Sequence, residues 1–154
     1  MVFKRAINKL CEQGPLSRDY ERRNQLEESA GRPAGHIAEG YGRFSPPDFA
    51  RFTVIARSSL MEAQNHLIDA VDRRYITEDE RVEFNKLAED ALEQVTGLME
   101  YLQSPEALRN ARRARERRIA SRDARKAKRT PNKNREGEPG TEPEPERRRE
   151  KPEE

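Results

Sequence analysis

Two pairs of side chains have the spacing of a metal or acid–base site: His36 with Glu39, and Glu62 with His66. Residues three or four apart share a helix face, and helical bundles do house dinuclear metal sites built from glutamate and histidine. The order here is wrong for the carboxylate-bridged kind, which uses Glu-x-x-His on two helices and a further Glu on each of the other two. Glu39 and Glu62 can instead be hydrogen-bonded, or paired with Arg43 or Arg51 at an oligomer contact, and a carboxylate so held needs no metal. Ion pairing is therefore the stronger expectation, and no metal or cofactor is expected. Nucleophile chemistry has less support. Cys11 is the only cysteine, it lies in a different segment from both histidines, and it reads as a small buried hydrophobe. Glu39-Gly40-Tyr41-Gly42-Arg43 is glycine-rich, but no strand precedes it and it lacks the spacing of a phosphate loop. No catalytic residue is expected.

A third group could bind rather than react. Arg109, Arg112, Arg113, Arg115, Arg117, Arg118, Arg122, Arg125, Lys126, Lys128 and Arg129 lie close together among alanines. The formal net charge of the 154-residue chain is only +2, yet residues 1–104 hold 14 Lys/Arg against 18 Asp/Glu, residues 105–130 hold 11 against 3, and residues 131–154 hold 6 against 8. An acidic body is thus joined to a concentrated basic segment, the asymmetry of a nucleic-acid or polyanion arm. The planar donor fork of arginine suits phosphate. With no aromatic residue after Tyr101, base stacking is not expected, and contact would be to the backbone and tolerant of sequence. Ala and Arg favour helix, but this segment has no continuous apolar face, so it is expected to be a lone helix or disordered.

The elements that must position these residues are helical. Phe3 to Glu12 predicts a short helix ended by Gly14-Pro15. Leu16 to Ala30 predicts a longer one, with a kink or break near Pro33, where an interior proline removes a donor at a cost of about 3 kcal/mol. Ser45-Pro46-Pro47-Asp48 predicts a capped start. The apolar stripe beyond it runs through Phe49, Phe52, Ala56, Ser59, Ala63, Leu67 and Ala70, with Ile55, Leu60 and Val71 beside it. After a turn at Arg73-Arg74-Tyr75-Ile76, Thr77 to Glu80 reads as a capping box. The fourth stripe is Phe84, Leu87, Ala91, Val95, Leu98 and Leu102, fading at Ser104-Pro105. Short connections between long amphipathic helices give antiparallel neighbours. The expected fold is all-α: an antiparallel up-down four-helix bundle over 1–104 with a short first helix, then the basic segment 105–130, then a disordered Glu/Pro/Arg-rich tail over 131–154. No apolar run reaches the length of a signal peptide or a membrane span, which predicts a cytoplasmic protein with no membrane partner.

The stretch from His36 to Leu67 resembles the signature of a four-helix bundle family, the 23S ribosomal RNA intervening-sequence proteins. The resemblance is carried by Ile37-Ala38-Glu39-Gly40-Tyr41-Gly42-Arg43, Ser45, Asp48-Phe49, Arg51-Phe52 and Ser59-Leu60-Met61-Glu62, with Tyr75-Ile76 and Gly97-Leu98 further on. It covers about 15 to 103. It implies a four-helix bundle, assembly into a homo-oligomer (a pentamer where the family is best understood), a role beside RNA and no assigned catalysis. The signature positions it marks are Glu39, Gly40, Tyr41, Arg43, Phe49, Phe52, Ser59 and Glu62. Three departures stand out: Glu27-Glu28 where the family often has arginines, His36 where it often has Asn, and Pro33 one place early. Together they leave the second helix less basic.

Three kinds of function fit these residues: an RNA-associated scaffold, a protein-interaction oligomer with a merely solubilising tail, and a metal-binding bundle. The basic segment favours the first.

Overall fold

The computed structural model describes residues 2–43 and 45–129, without the Arg129 side chain. Every regular element in this range is helical. In chain order they are α1 (Val2–Cys11), a single 3-10 turn (Pro15–Arg18), α2 (Tyr20–Gly42), α3 (Pro46–Asp72), α4 (Glu78–Gln103) and α5 (Pro105–Arg129). The expected all-α bundle is formed by α1 to α4, and the basic segment adds a fifth helix. The expected disordered tail over 131–154 lies outside the described residues. The chain divides into two units, the first ending at Arg117 and the second starting at Arg118, so the division falls within α5.

In the first unit α3 is the central member, packed between α2 and α4, while short α1 lies across α2 and α4. Ala56, Ala63 and Ala70 lie seven apart along α3 and are buried. Their small side chains let both neighbours approach, and Leu60 and Leu67 fill the space between. From α1 come Phe3, Ile7 and Cys11, from the turn Leu16, from α2 Leu26 and Ala30, and from α4 Ala88 and Val95.

The start of α2 differs from expectation. Helix was expected from Leu16, but Pro15 to Arg18 forms a 3-10 turn and α2 begins at Tyr20. Asp19 is the reason, because its carboxylate accepts the Arg22 backbone N–H at 3.2 Å and caps the helix there. Pro33 does not break α2, which is continuous to Gly42. Leu26, Ser29, Ala30, Pro33 and Gly40 form one buried stripe. Pro33 thus extends the packed face, and burial along α3 outweighs the missing backbone donor.

The start of α3 lies where the sequence put it. Ser45 occupies the cap position in extended conformation with Pro46 beginning the helix, but the serine side chain makes no capping bond. Thr77 and Glu80 form the full capping box of α4. Between these helices the chain turns through Arg74, the one non-glycine residue with positive φ among those described, at 60°. Arg74 N–H donates to the Val71 carbonyl and Tyr75 N–H to the Ala70 carbonyl, each at 2.8 Å. This is a Schellman closure with arginine where glycine is usual. The turn is tied to the other side of the bundle by the Tyr75 hydroxyl, which donates to Asp19 Oδ2 at 2.7 Å.

Candidate nucleic-acid interface

The first chemistry to place is that of the carboxylate and imidazole pairs. Glu39 accepts from the Arg43 guanidinium at 2.6 Å. Glu62 accepts from Arg32 Nη1 at 3.3 Å and lies 3.8 Å from His66 Nε2. Arg32 also holds Glu28 at 2.7 Å. Thus within the chain Glu39 pairs with Arg43, and Glu62 with Arg32 of α2. Among the described residues no three His, Cys, Asp or Glu side chains converge as a metal cluster would require. The Cys11 thiol is buried, and desolvation with the nearby Glu27 carboxylate pushes it up to about 12, far from the thiolate that a nucleophile needs.

The signature positions have a structural task at the α2–α3 elbow. Gly40 is buried against α3. A Cβ there would overlap Phe49 Cδ2 and stand 2.8 Å from Phe52 Cβ, so the absence of a side chain lets the two helices touch. Tyr41 is 72% exposed and meets the Phe49 ring edge-on, with centroids 6.3 Å apart. The Arg43 guanidinium lies 5.3 Å from the Phe52 ring centroid, a cation–π contact on the outside of the elbow. Ser59 is buried along α3. Gly42 ends α2 without a left-handed residue, since the cap residue Arg43 has φ −75°. The glycine-rich stretch is therefore helix, and one of its two glycines is there for close packing.

The basic residues lie on α5. Ser104 ends α4 and starts α5: its hydroxyl accepts the Ala107 backbone N–H at 3.2 Å, Pro105 follows at the first helical position, and Glu106 lies in the first turn. Within the first unit, Asn110 donates to the Tyr101 hydroxyl at 3.4 Å. Of the eleven expected phosphate-binding residues, Arg109, Arg112, Arg113, Arg115 and Arg117 are exposed in the first unit. Arg118, Arg122, Arg125, Lys126 and Lys128 are exposed in the second. Arg129 is helical and its side chain is not described. Arg112 pairs with Glu116 at 3.2 Å and Arg122 with Asp123 at 3.4 Å. With eleven Lys/Arg and three Asp/Glu, α5 carries a net charge of +8. No helix among the described residues is long and apolar enough to cross a membrane.

Sequence reasoning missed the polar lock at the other end of the bundle. Asp69 holds Arg73 at 2.9 Å and lies 3.9 Å from Arg22, while Asp19 holds Tyr75. The Tyr75 hydrogen bond, followed by that of the Arg22 N–H, holds the Asp19 carboxyl below its ordinary value, and the same bond to Asp19 raises Tyr75. Asp19 directly before Tyr20-Glu21 was a readable cap, but its partner lies 56 residues away and left no local trace.

Compared with known proteins, residues 1–97 match the sequence model of a family described as 23S rRNA-intervening sequence protein. The match takes in α1, which the resemblance of 15–103 leaves out, and stops within α4. Among curated proteins no match to the chain is found.

Proposed function

The chain belongs to the 23S rRNA-intervening sequence protein family, and from that premise we propose that it is a non-enzymatic, RNA-associated scaffold whose α5 helix holds phosphate backbone. The observation that supports this most is the division of labour between α5 and the bundle. The bundle is acidic and holds Asp19, Glu39, Glu62, Asp69 and Glu80 among its carboxylates in ion pairs and caps, whereas α5 carries a net charge of +8 on a helix whose large apolar side chains Leu108 and Ile119 are exposed and form no continuous face. Arginine binds phosphate through its fork without reading a base edge, so the arm recognises the polyanion and not its sequence. Self-association of the bundle, which the resemblance gives as a pentamer, would place several arms side by side and raise avidity by local concentration. The match itself ends at Gly97, so α5 lies outside the matched region.

The test compares the full chain with a chain ending at Ser104 for binding to a fluorescent single-stranded RNA, with helical content measured for both. Micromolar or tighter, salt-sensitive binding that disappears on truncation is the expected result. Equal binding by the truncated, folded chain would overturn the proposal.

A further inference from the structure

Tyr101 stands in the last turn of α4 and is 45% exposed. The inward side of the same helix end is filled by Val95 and Leu102, both buried, and the core does not use the tyrosine ring. One turn earlier on the side of Tyr101 comes Gly97, where a side chain would meet only open space. The turn before the tyrosine therefore adds nothing that could screen its ring. A single exposed aromatic residue is ordinary on a protein surface. What sets this one apart is its place at the root of the basic helix.

Asn110 of α5 donates to the Tyr101 hydroxyl at 3.4 Å, so the outer end of the ring lies against α5. The residues that share the Asn110 side of that helix are three, four and seven positions further on: Arg113, Ala114 and Arg117. At the rise of an α-helix the two arginines stand about 4.5 and 10.5 Å beyond Asn110 along the axis. Both are exposed, and neither makes an ion pair among the described residues, in contrast to Arg112, which holds Glu116. Glu106 lies one turn before Asn110 on the same side. Charge along this side thus runs from an anion at the root to two cations beyond the tyrosine, all within the first unit.

We propose that Tyr101 is a stacking platform for one unpaired nucleobase, with Arg113 and Arg117 holding the phosphates next to it. The site rests on the reading of α5 as an RNA arm and adds to it a choice of strand. A base inside a duplex has both faces covered by its neighbours and cannot reach the ring, whereas any unpaired base has a face to offer. Charge alone would favour the duplex, whose phosphates are denser. Tyr101 therefore turns a general polyanion arm towards single strands, still without reading their sequence.

The chain contains no tryptophan, so Tyr101→Trp in the full chain places a single fluorescent reporter at the site. Its emission is expected to be quenched when a short single-stranded oligouridylate binds. It should change little with an RNA duplex of equal length or with heparin, a polyanion that has no bases. Tyr101→Leu is expected to weaken oligouridylate binding by about tenfold, with duplex affinity, heparin affinity and helical content kept at the parent's values. Tyr101→Phe keeps the parent affinity, because the ring stacks and the hydroxyl does not. Oligouridylate binding without quenching, or with parent affinity in Tyr101→Leu, overturns the stacking site and leaves the arm standing. An equal loss of heparin binding in Tyr101→Leu also overturns it, since that marks a structural role. If neither oligouridylate nor heparin binds the parent chain, arm and site fall together.

Discussion

α3 and α5 are nearly equal in length, 27 and 25 residues, and both begin with proline at the first helical position. Their stability comes from different sources. α3 buries eight residues and contains β-branched Thr53, Val54 and Ile55, which lower helix propensity. It is held by its neighbours. Ala107 is the one buried residue that α5 contributes among those described. α5 consists largely of alanine, arginine, glutamate and lysine, so its helix rests on propensity, on the Ser104 cap and on exposed pairs such as Arg112–Glu116, which is worth about 0.3–0.5 kcal/mol. A helix held by packing cannot release its side chains for a ligand without loosening the core. One held by local preference can offer nearly all of them.

The largest expected effect exploits that difference with a single methyl group. Gly40→Ala forces a Cβ into Phe49 and Phe52 and is expected to cost about 1–3 kcal/mol, read as a lower urea midpoint for the bundle. The Phe49 ring can swing aside, but the Phe52 Cβ cannot move without its backbone. The opposite exchange in α5, Ala120→Gly, is expected to reduce helical content while leaving the bundle's midpoint unchanged. A bundle insensitive to Gly40→Ala would mean that the elbow is not the close contact described.

The next effect has the opposite sign. Arg74 is held at φ 60°, where an L-residue pays roughly 1–2 kcal/mol that glycine avoids. Arg74→Gly is therefore expected to stabilise the bundle by about 1 kcal/mol in a urea titration, since the Schellman closure is made by backbone groups and survives the exchange.

The smallest effect concerns pH. The Asp19–Tyr75 hydrogen bond depresses the folded carboxyl below its ordinary 3.8. It therefore adds stability above that pH, and this is lost as pH falls through the folded value. The same bond raises Tyr75 above its ordinary 10.0, so its contribution is fully present below pH 10.0 and is lost as pH rises through the raised value. Tyr75→Phe is expected to flatten the acid side of the stability–pH curve, as followed by thermal melts. An acid limb as steep as the parent's would assign it to other carboxylates.

What could be read in the sequence follows the same division. Thr77 to Glu80, the proline start of α3 and the charge of α5 are local features, and each was legible because its cause lies within a few residues. Pro33 was not, since its penalty is local but its compensation is a buried stripe shared with α3. The outward direction of Ile55, which is 45% exposed, depends on which side of α3 meets two neighbours, and periodicity alone did not separate it from Ala56. For the candidate interface, composition identified the cations and their target chemistry. The start of their helix at Ser104 became clear only from the bond between the Ser104 hydroxyl and the Ala107 N–H.

The central claim, that α5 is a phosphate-binding arm acting through the number of its charges, is tested most directly by the salt dependence of RNA binding. The full chain should be compared with its Arg113→Gln, Arg115→Gln, Arg117→Gln triple variant, using single-stranded RNAs of equal length and different sequence. The account predicts similar affinity for all sequences, and a slope of log K against log salt that falls by about 0.7 for each phosphate contact removed. An unchanged slope in the variant, or strong preference for one sequence, would contradict it.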